Sequence, residues 1–450
     1  MKTIFLFIPN YVYSSDFLCT GFIRCLVSRF RVVIFAPEVI LESNKLRLQS
    51  PNLVCIKWET QYPRFWNLFG RYLRYSLIRK YDFEPVIQRN RKKGMKDWRR
   101  KILRFFSYAF PAAWLTPDLF FKLEILLAPK SKLFSEYAEK YQPAIVVTPT
   151  PGFTHFDAEA IVLAKKSHLP TAAIDFSWDN LHNGGPHFRR VDYLIVWNKI
   201  IKNTAVREYG YPENRVFVSG IMRFDHYFKK QPGELSREEF LKSKNLDPKE
   251  KLILITTVTK GNYPNEHLLL KDLLEAREKN VFNGFPNILV RMHPKEEVKN
   301  FTAFLDAGIR GLCVEKAGKE KAVELGSNIE MDEEDLLNLK HTLEYCDLNI
   351  NYLSTITLEA FVFDRPVINI NYPPEYHLGY TFSHYKPLIE MKSVRLAYSF
   401  EELINDINIY FKNPNLEHRE RQAAFEKYIK FSDGLSYKRS VDFLHSILYK

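Results

Sequence analysis

Cysteine is scarce in this chain: five residues in 450, at Cys19, Cys25, Cys55, Cys313 and Cys346. None stands in a CxxC pair and the number is odd. That excludes a disulfide framework and a thiolate zinc site, and points to a reducing compartment. Long apolar runs are also lacking; none reaches the roughly 20 residues that a helix needs to cross a bilayer. The opening MKTIFLFIPN starts like a signal peptide, but its apolar run is short and ends at Pro9-Asn10 without a small-residue cleavage site. It reads as a first buried strand, and the chain is expected in the cytoplasm or peripherally on the inner face of the cell membrane. Internal repeats and low-complexity tracts are missing as well. So is any recognisable RNA- or DNA-binding signature, which leaves nucleic acid off the list of expected partners.

What is present is positive charge and alternation. Lysine and arginine number 65 against 53 acidic residues, a net charge of +12 that favours an anionic partner such as nucleotide phosphates or an acidic membrane surface. A chain of 450 residues exceeds what one core organises, so two domains are expected. Short β-rich runs alternate with helical patterns, the signature of α/β architecture with parallel sheets. The first set comprises Thr3–Ile8, Val32–Phe35, Leu53–Ile56, Ala144–Thr148, Thr171–Asp175 and Tyr193–Trp197. The second comprises Val216–Ser219, Leu252–Thr256, Ile288–Arg291, Leu348–Asn351 and Val367–Asn371. These sets predict a Rossmann-like domain over 1–198, a second over 199–400, and amphipathic helices over 401–450. A stretch at about 62–110 breaks the alternation with basic residues interleaved with Trp, Phe and Leu. It reads either as a helical insertion suited to an anionic membrane interface or as a solvated basic insertion packed on the first domain.

In open α/β sheets ligands bind beyond the carboxyl ends of the strands, so the polar residues there carry the functional signal. The run LILITTVTKGNYPN ends its strand in Thr256-Thr257 and continues through Lys260 and Gly261. Hydroxyls, a lysine and a glycine in one loop can surround phosphate oxygens, although the GxxxxGK-Ser/Thr pattern of a P-loop is absent and, taken alone, an ordinary polar loop is the favoured reading. NILVRMHP places Arg291 and His293 two residues apart on one side of a strand, where they suit a diphosphate or a base edge, or where His293 caps its strand. CDLNINYLSTITLEAFVFDRPVINI joins two apolar strands through a short helix. With Ser354 as N-cap, its hydroxyl and the free N–H groups of the first turn would bind an anion. Glu359 lies one turn below Thr355, where it would reach ribose hydroxyls or sit as an exposed helix carboxylate paired with a nearby base.

The pattern D-x-N-I-N-x-x-S-T-x-x-x-E-A followed by P-V-I-N-I resembles the C-terminal domain of GT-B glycosyltransferases of bacterial surface-polysaccharide synthesis. More distantly it is similar to CDP-glycerol glycerophosphotransferases and UDP-GlcNAc 2-epimerases. The segment from 174 to 225, with its S-W-D-N-L strand end and V-x-V-x-G-x-x-x-F-D strand end, resembles the domain-crossing segment of the same group. The epimerase Gly-Gly before the glutamate is replaced here by Thr355-Ile356-Thr357, which argues against epimerase. The resemblance implies two Rossmann-like domains facing across a cleft and sugar transfer from a nucleotide-sugar donor to a glycan acceptor, lipid-linked in this reading. It implies Ser354 and Thr355 on the donor diphosphate, Glu359 on the ribose, and His293 and Arg291 against the phosphates; Thr257 and Lys260 are donor-binding candidates from their loop alone. Gly220 would let backbone approach the donor. No cofactor and no metal are expected, because no DxD stands at a strand end and helix termini with basic side chains neutralise the leaving group.

The base that deprotonates the acceptor is expected from the first domain. Asp157, near a helix start, leads, with Asp179 in SWDN and Asp16 in the first loop as competitors; each also reads as a cap or dipole partner. Two rivals stand beside sugar transfer: a CDP-glycerol-type polyol-phosphate transferase, and a non-catalytic nucleotide- or glycan-binding component of a polysaccharide assembly complex. The basic stretch makes its own prediction. Binding to anionic vesicles should fall steeply with salt, and charge reversal at Arg99, Arg100 and Lys101 should abolish it, at roughly 1 kcal/mol per basic residue. Vesicle sedimentation that is indifferent to salt and to lipid charge would remove the membrane partner.

Overall fold

Short apolar runs become the strands of two parallel sheets. The computed structural model describes residues 1–60, 62, 98, 101–102, 105–106, 116–183, 191–258, 263, 266–296, 298–305, 308–320 and 329–449. One compact unit is drawn from Met1–Asp225 and Phe431–Lys450, the other from His226–Lys321 and Ile329–Lys430.

The first unit holds β1 (Thr3–Phe7), β2 (Arg31–Ala36), β3 (Leu53–Lys57), β4 (Pro143–Thr148), β5 (Thr171–Ile174), β6 (Tyr193–Val196) and β7 (Val216–Val218), in the order β3-β2-β1-β4-β5-β6-β7. All neighbours are parallel. Strands covered on both faces require continuous apolar sequence, and Thr3–Phe7 is buried throughout. Its alternate side chains serve two cores. Ile4 and Leu6 pack with Phe17, Phe22 and Leu26 on one face, while Phe5 and Phe7 meet Phe35, Trp58, Phe134 and Phe156 on the other.

The second unit holds β8 (Leu252–Thr256), β9 (Asn287–Met292), β10 (Leu312–Lys316), an antiparallel pair β11 (Lys319–Glu320) and β12 (Ile329–Glu330), then β13 (Leu348–Asn351), β14 (Val367–Ile370) and β15 (Arg395–Ala397). Its main sheet runs β10-β9-β8-β13-β14-β15. In both sheets the strand order reverses beside the unit's first strand, between β1 and β4 and between β8 and β13. Such switch points splay the loops at the carboxyl ends apart and leave room for a ligand.

Two boundaries differ from expectation. Val216–Val218, assigned from sequence to the second set, pairs with β6 in the first sheet, Leu194 opposite Val216 and Val196 opposite Val218. The helix Lys199–Arg207 is the crossover that returns the chain to that edge, and alternation alone cannot say which sheet a three-residue strand will join. The helices after residue 400 also divide. Phe400–Lys412 and His418–Tyr428 stay with the second unit, whereas Ser436–Leu448 packs Val441, Leu444 and Leu448 into the core of the first. The expected basic insertion at 62–110 lies outside the described residues, apart from Tyr62, Trp98, Lys101, Ile102, Phe105 and Phe106. Among the described residues no helix is long and apolar enough to cross a membrane.

The returning helix is fixed where the chain leaves the first sheet. Asp225 accepts from the backbone N–H groups of Ser436 and Tyr437 at 3.0 and 2.9 Å. Gly220, just after β7, has φ +89°, and a Cβ there would lie 2.6 Å from Ser436 Oγ and 2.8 Å from Phe431 Cδ2. The glycine expected to admit a donor is thus accounted for by the chain's own tail. Gly220→Ala should destabilise the protein by about 2–4 kcal/mol through overpacking and a strained left-handed residue, read as a lower urea midpoint at unchanged slope.

Candidate active site

The carboxyl end of the second sheet is organised by buried asparagines. Asn351, the last residue of β13, accepts from Ser354 N–H at 3.3 Å, and Asn369 of β14 accepts from Leu353 N–H at 3.3 Å. These bonds close a tight turn in which Leu353 takes the left-handed conformation, φ 46°. Thr357 Oγ1 and Tyr385 Oη lie 2.8 Å apart; Thr357 bonds Asn351, and Tyr385 donates to Asn369 at 2.8 Å. Thr357 is buried in this network, so it serves the turn and not a ligand. The helix Ile356–Val362 begins one residue later than predicted. Thr355 occupies the cap position with helical dihedrals, and Ser354 Oγ accepts from Ile356 N–H at 3.4 Å. Ser354 and Thr355 are both half-buried at the switch point.

Glu359 is not an exposed helix carboxylate. It is 7 % exposed and accepts a hydrogen bond from Tyr227 Oη. Thr257, following β8, bonds the backbone at the end of β9 twice: its N–H donates to Arg291 O, and its Oγ1 accepts from His293 N–H at 2.7 Å. Lys260 lies outside the described residues. The His293 ring accepts from Lys295 N–H at Nδ1, 3.0 Å, so the neutral ring carries its proton on Nε2. Burial, with Lys295 nearby, pushes its pKa down to about 4. At neutral pH His293 is therefore a hydrogen-bond donor and not a cation.

Arg291 departs further from expectation. It is 4 % exposed and forms ion pairs with Glu315 at 2.7 Å and Asp335 at 2.8 Å. The register explains this: Arg291 stands opposite Glu315 across the β9–β10 pair, so the guanidinium is consumed inside the sheet edge. Asp335 belongs to the MDEEDLL stretch, which reads from sequence as a solvated helix start.

At the first sheet, the side chains expected to be rivals share one neighbourhood. Asp16, from the helix Tyr11–Leu18 after β1, takes two bonds from Arg223, at 3.2 and 3.1 Å. Asp157 stands in the first turn of the helix His155–Lys166 after β4. It is fully buried, accepts from Thr150 Oγ1 at 2.5 Å, and its backbone N–H is capped by Thr154 at 3.1 Å. Between them Tyr13 is driven above the usual phenol range, first by burial, then by Asp157 and Asp175, with Arg223 opposing and Asp16 adding. Asp179 is half-buried and accepts from Ser177 Oγ. Asp157 has no solvent-facing surface, whereas Asp179 is half-buried.

A family model for CDP-glycerol:poly(glycerophosphate) glycerophosphotransferase matches residues 177–446. The chain belongs to that family. It is therefore a transferase, and the match begins at Ser177, beside Asp179, and runs through every residue discussed in the second sheet. No curated protein matched the chain by sequence. Solved structures similar to this glycerophosphotransferase-family chain include MnaA of S. aureus with UDP, at 11 % identity and a TM-score of 0.58 over 100 % of this chain and 97 % of that one. The UDP-GlcNAc 2-epimerase of Neisseria meningitidis bound to UDP-GlcNAc gives 13 % identity, a TM-score of 0.55, and coverage of 99 % and 100 %. The wall teichoic acid polymerase TagF gives 11 % identity, a TM-score of 0.50, and coverage of 99 % and 88 %. At such identities the likeness is one of fold: two parallel α/β domains of GT-B type with helices at the C-terminus.

Sequence reasoning did not single out Asp175, which directly follows β5. The signal was there, since a carboxylate terminates an otherwise apolar strand. It accepts from Asn180 Nδ2 at 2.6 Å, and burial pushes its pKa up to about 7, with Asp179 adding to the shift. A native pKa above the unfolded value means that the native state binds more protons. The associated stability is fully present below the ordinary carboxylate value and is lost as pH rises through about 7. Asp175→Asn should therefore gain stability relative to wild type by about 1–3 kcal/mol between pH 5 and pH 8. Urea titrations of both proteins at the two pH values check this, and a constant difference would contradict it.

Proposed function

We propose that this transferase moves the activated group of a nucleoside-diphosphate-linked donor onto a hydroxyl of a cell-surface polymer, and that the group is a polyol phosphate. The carrying observation is the family match over 177–446. It favours the polyol-phosphate reading over the sugar transfer expected first from sequence. The acceptor, lipid-linked in this proposal, is consistent with the exposed Trp98, Ile102, Phe105 and Phe106, which suit an anionic membrane surface.

In the proposed step the acceptor oxygen attacks the β-phosphorus of the donor. A new P–O bond forms, the bond between the β-phosphorus and the bridging oxygen breaks, and nucleoside monophosphate leaves with that oxygen. Asp179 takes the acceptor proton, a role its half-buried carboxylate supports better than buried Asp157 or the ion-paired Asp16. His293, through Nε2–H, together with Ser354 and Thr355 would hold phosphate oxygens by preorganised hydrogen bonds, and Glu359 would accept from the ribose hydroxyls. Thr257 supports His293 rather than the donor. We propose that the step needs no metal.

The leaving nucleotide separates the two chemistries. With CDP-glycerol and a glycerophosphate acceptor, CMP should accumulate in step with acceptor elongation. Attack at an anomeric carbon would instead release a nucleoside diphosphate from a nucleotide-sugar, and that product, with CDP-glycerol inert, would overturn the polyol-phosphate reading. Asp179→Asn should lower turnover about 10²–10⁴-fold with donor affinity nearly unchanged. Full turnover in that variant would return the base to Asp157 or Asp16.

A further inference from the structure

Tyr227 has no assigned role. It lies just past the point where the chain passes from the first unit to the second, and its ring is buried. The ring packs edge-on to Phe363 at 5.4 Å and against His226 at 4.0 Å, contacts that a phenylalanine would make equally well. Its hydroxyl does something a phenylalanine could not: it donates to Glu359 Oε2.

We propose that Tyr227 is a positioning residue for nucleotide recognition, holding the Glu359 carboxylate in the orientation that receives the ribose hydroxyls. The inference rests on the reading of Glu359 as the ribose partner. A glutamate side chain has three rotatable bonds, and freezing a rotamer-rich side chain on binding costs about 0.5–1.5 kcal/mol, a cost that a preformed hydrogen bond removes in advance. A carboxylate accepts through two oxygens with about four lone-pair sites, so the tyrosine hydroxyl and the ribose donors can be served together.

Both ends of the contact are fixed. Glu359 rides on a helix whose Leu358, Ala360 and Phe361 are buried in the core. Tyr227 is held within the same unit by its ring contacts with Phe363 and His226, and its neighbour Phe228 packs edge-on against Phe425 at 6.3 Å.

Calorimetry with CDP and with 2′,3′-dideoxycytidine diphosphate tests the proposal on wild type, Tyr227→Phe, Glu359→Ala and the double variant. Tyr227→Phe should weaken CDP binding by about 2–10-fold, the rotamer cost expressed as affinity. It should leave the dideoxy nucleotide unaffected and cause no further loss in the Glu359→Ala background. An equal loss for both nucleotides would make Tyr227 a packing residue and overturn the proposal. Unchanged CDP affinity in Tyr227→Phe, with Glu359→Ala weakened, would overturn the proposal and leave the Glu359 reading standing. Unchanged affinity in Glu359→Ala would overturn both. Should Tyr227→Phe fold poorly, a fluorotyrosine at 227 keeps the shape and donates more strongly. It should bind CDP at least as tightly as wild type, and weaker binding confined to CDP would count against the positioning role.

Discussion

Two asparagine side chains, Asn351 and Asn369, bind the backbone N–H groups of Ser354 and Leu353, and the turn at the carboxyl end of the second sheet depends on them. A parallel strand that ends in the interior leaves backbone donors without ladder partners, and each buried donor left unpaired costs about 1–3 kcal/mol. Asparagine supplies the missing acceptor without adding charge. With the turn closed in this way, the next helix starts within a few residues, and its first turn, with Ser354 and Thr355, stands at the switch point. Thr357 and Tyr385 complete the network from beneath. The polar residues in this apolar strand–helix–strand unit therefore divide by depth. The buried ones, Asn351, Thr357 and Asn369, build the turn, and Ser354 and Thr355 stay half-buried at its surface.

Charge is handled by the same separation. Arg291 and Arg223 both lie near strand ends, and both are committed to carboxylates: Arg291 to Glu315 and Asp335, Arg223 to Asp16. Arg291 is buried, and a buried guanidinium without such partners would carry a large desolvation penalty, so its pairs are conditions of burial rather than a reserve of cationic charge for phosphates. His293, neutral and oriented by Lys295 N–H, contributes a directed donor in their place. In the first unit burial raises the proton affinity of the Tyr13 phenol, with Asp157, Asp175 and Asp16 adding to it, and burial likewise raises that of Asp175 and Asp16. Asp179, outside this buried set, is half-buried and held by Ser177.

The architecture was legible because parallel, doubly covered strands leave a plain record: apolar runs of strand length separated by helical patterns. Thr3–Phe7, Leu252–Thr256 and Leu348–Asn351 were each recognisable on that basis. The strand-end rule then pointed to Thr257, His293 and Ser354, since these polar residues follow the carboxyl ends of apolar strands. What could not be read was partnership. Arg291 and His293 look equivalent two residues apart on one strand, yet one faces Glu315 across the sheet and the other turns into the loop.

Sequence by itself determined the class of fold, the two-sheet organisation and the positions of the polar strand ends, because periodicity and apolar run length are local properties of the chain. Tertiary structure alone decided which sheet received Val216–Val218, why Gly220 must lack a side chain, and that Ser436–Leu448 returns to the first core. It also decided which carboxylates are buried and which remain reachable, and that Tyr227 meets Glu359 across 132 residues of chain. Each of these depends on contacts between residues distant in sequence, and burial, which sets both pairing and proton affinity, exists only once those contacts have formed.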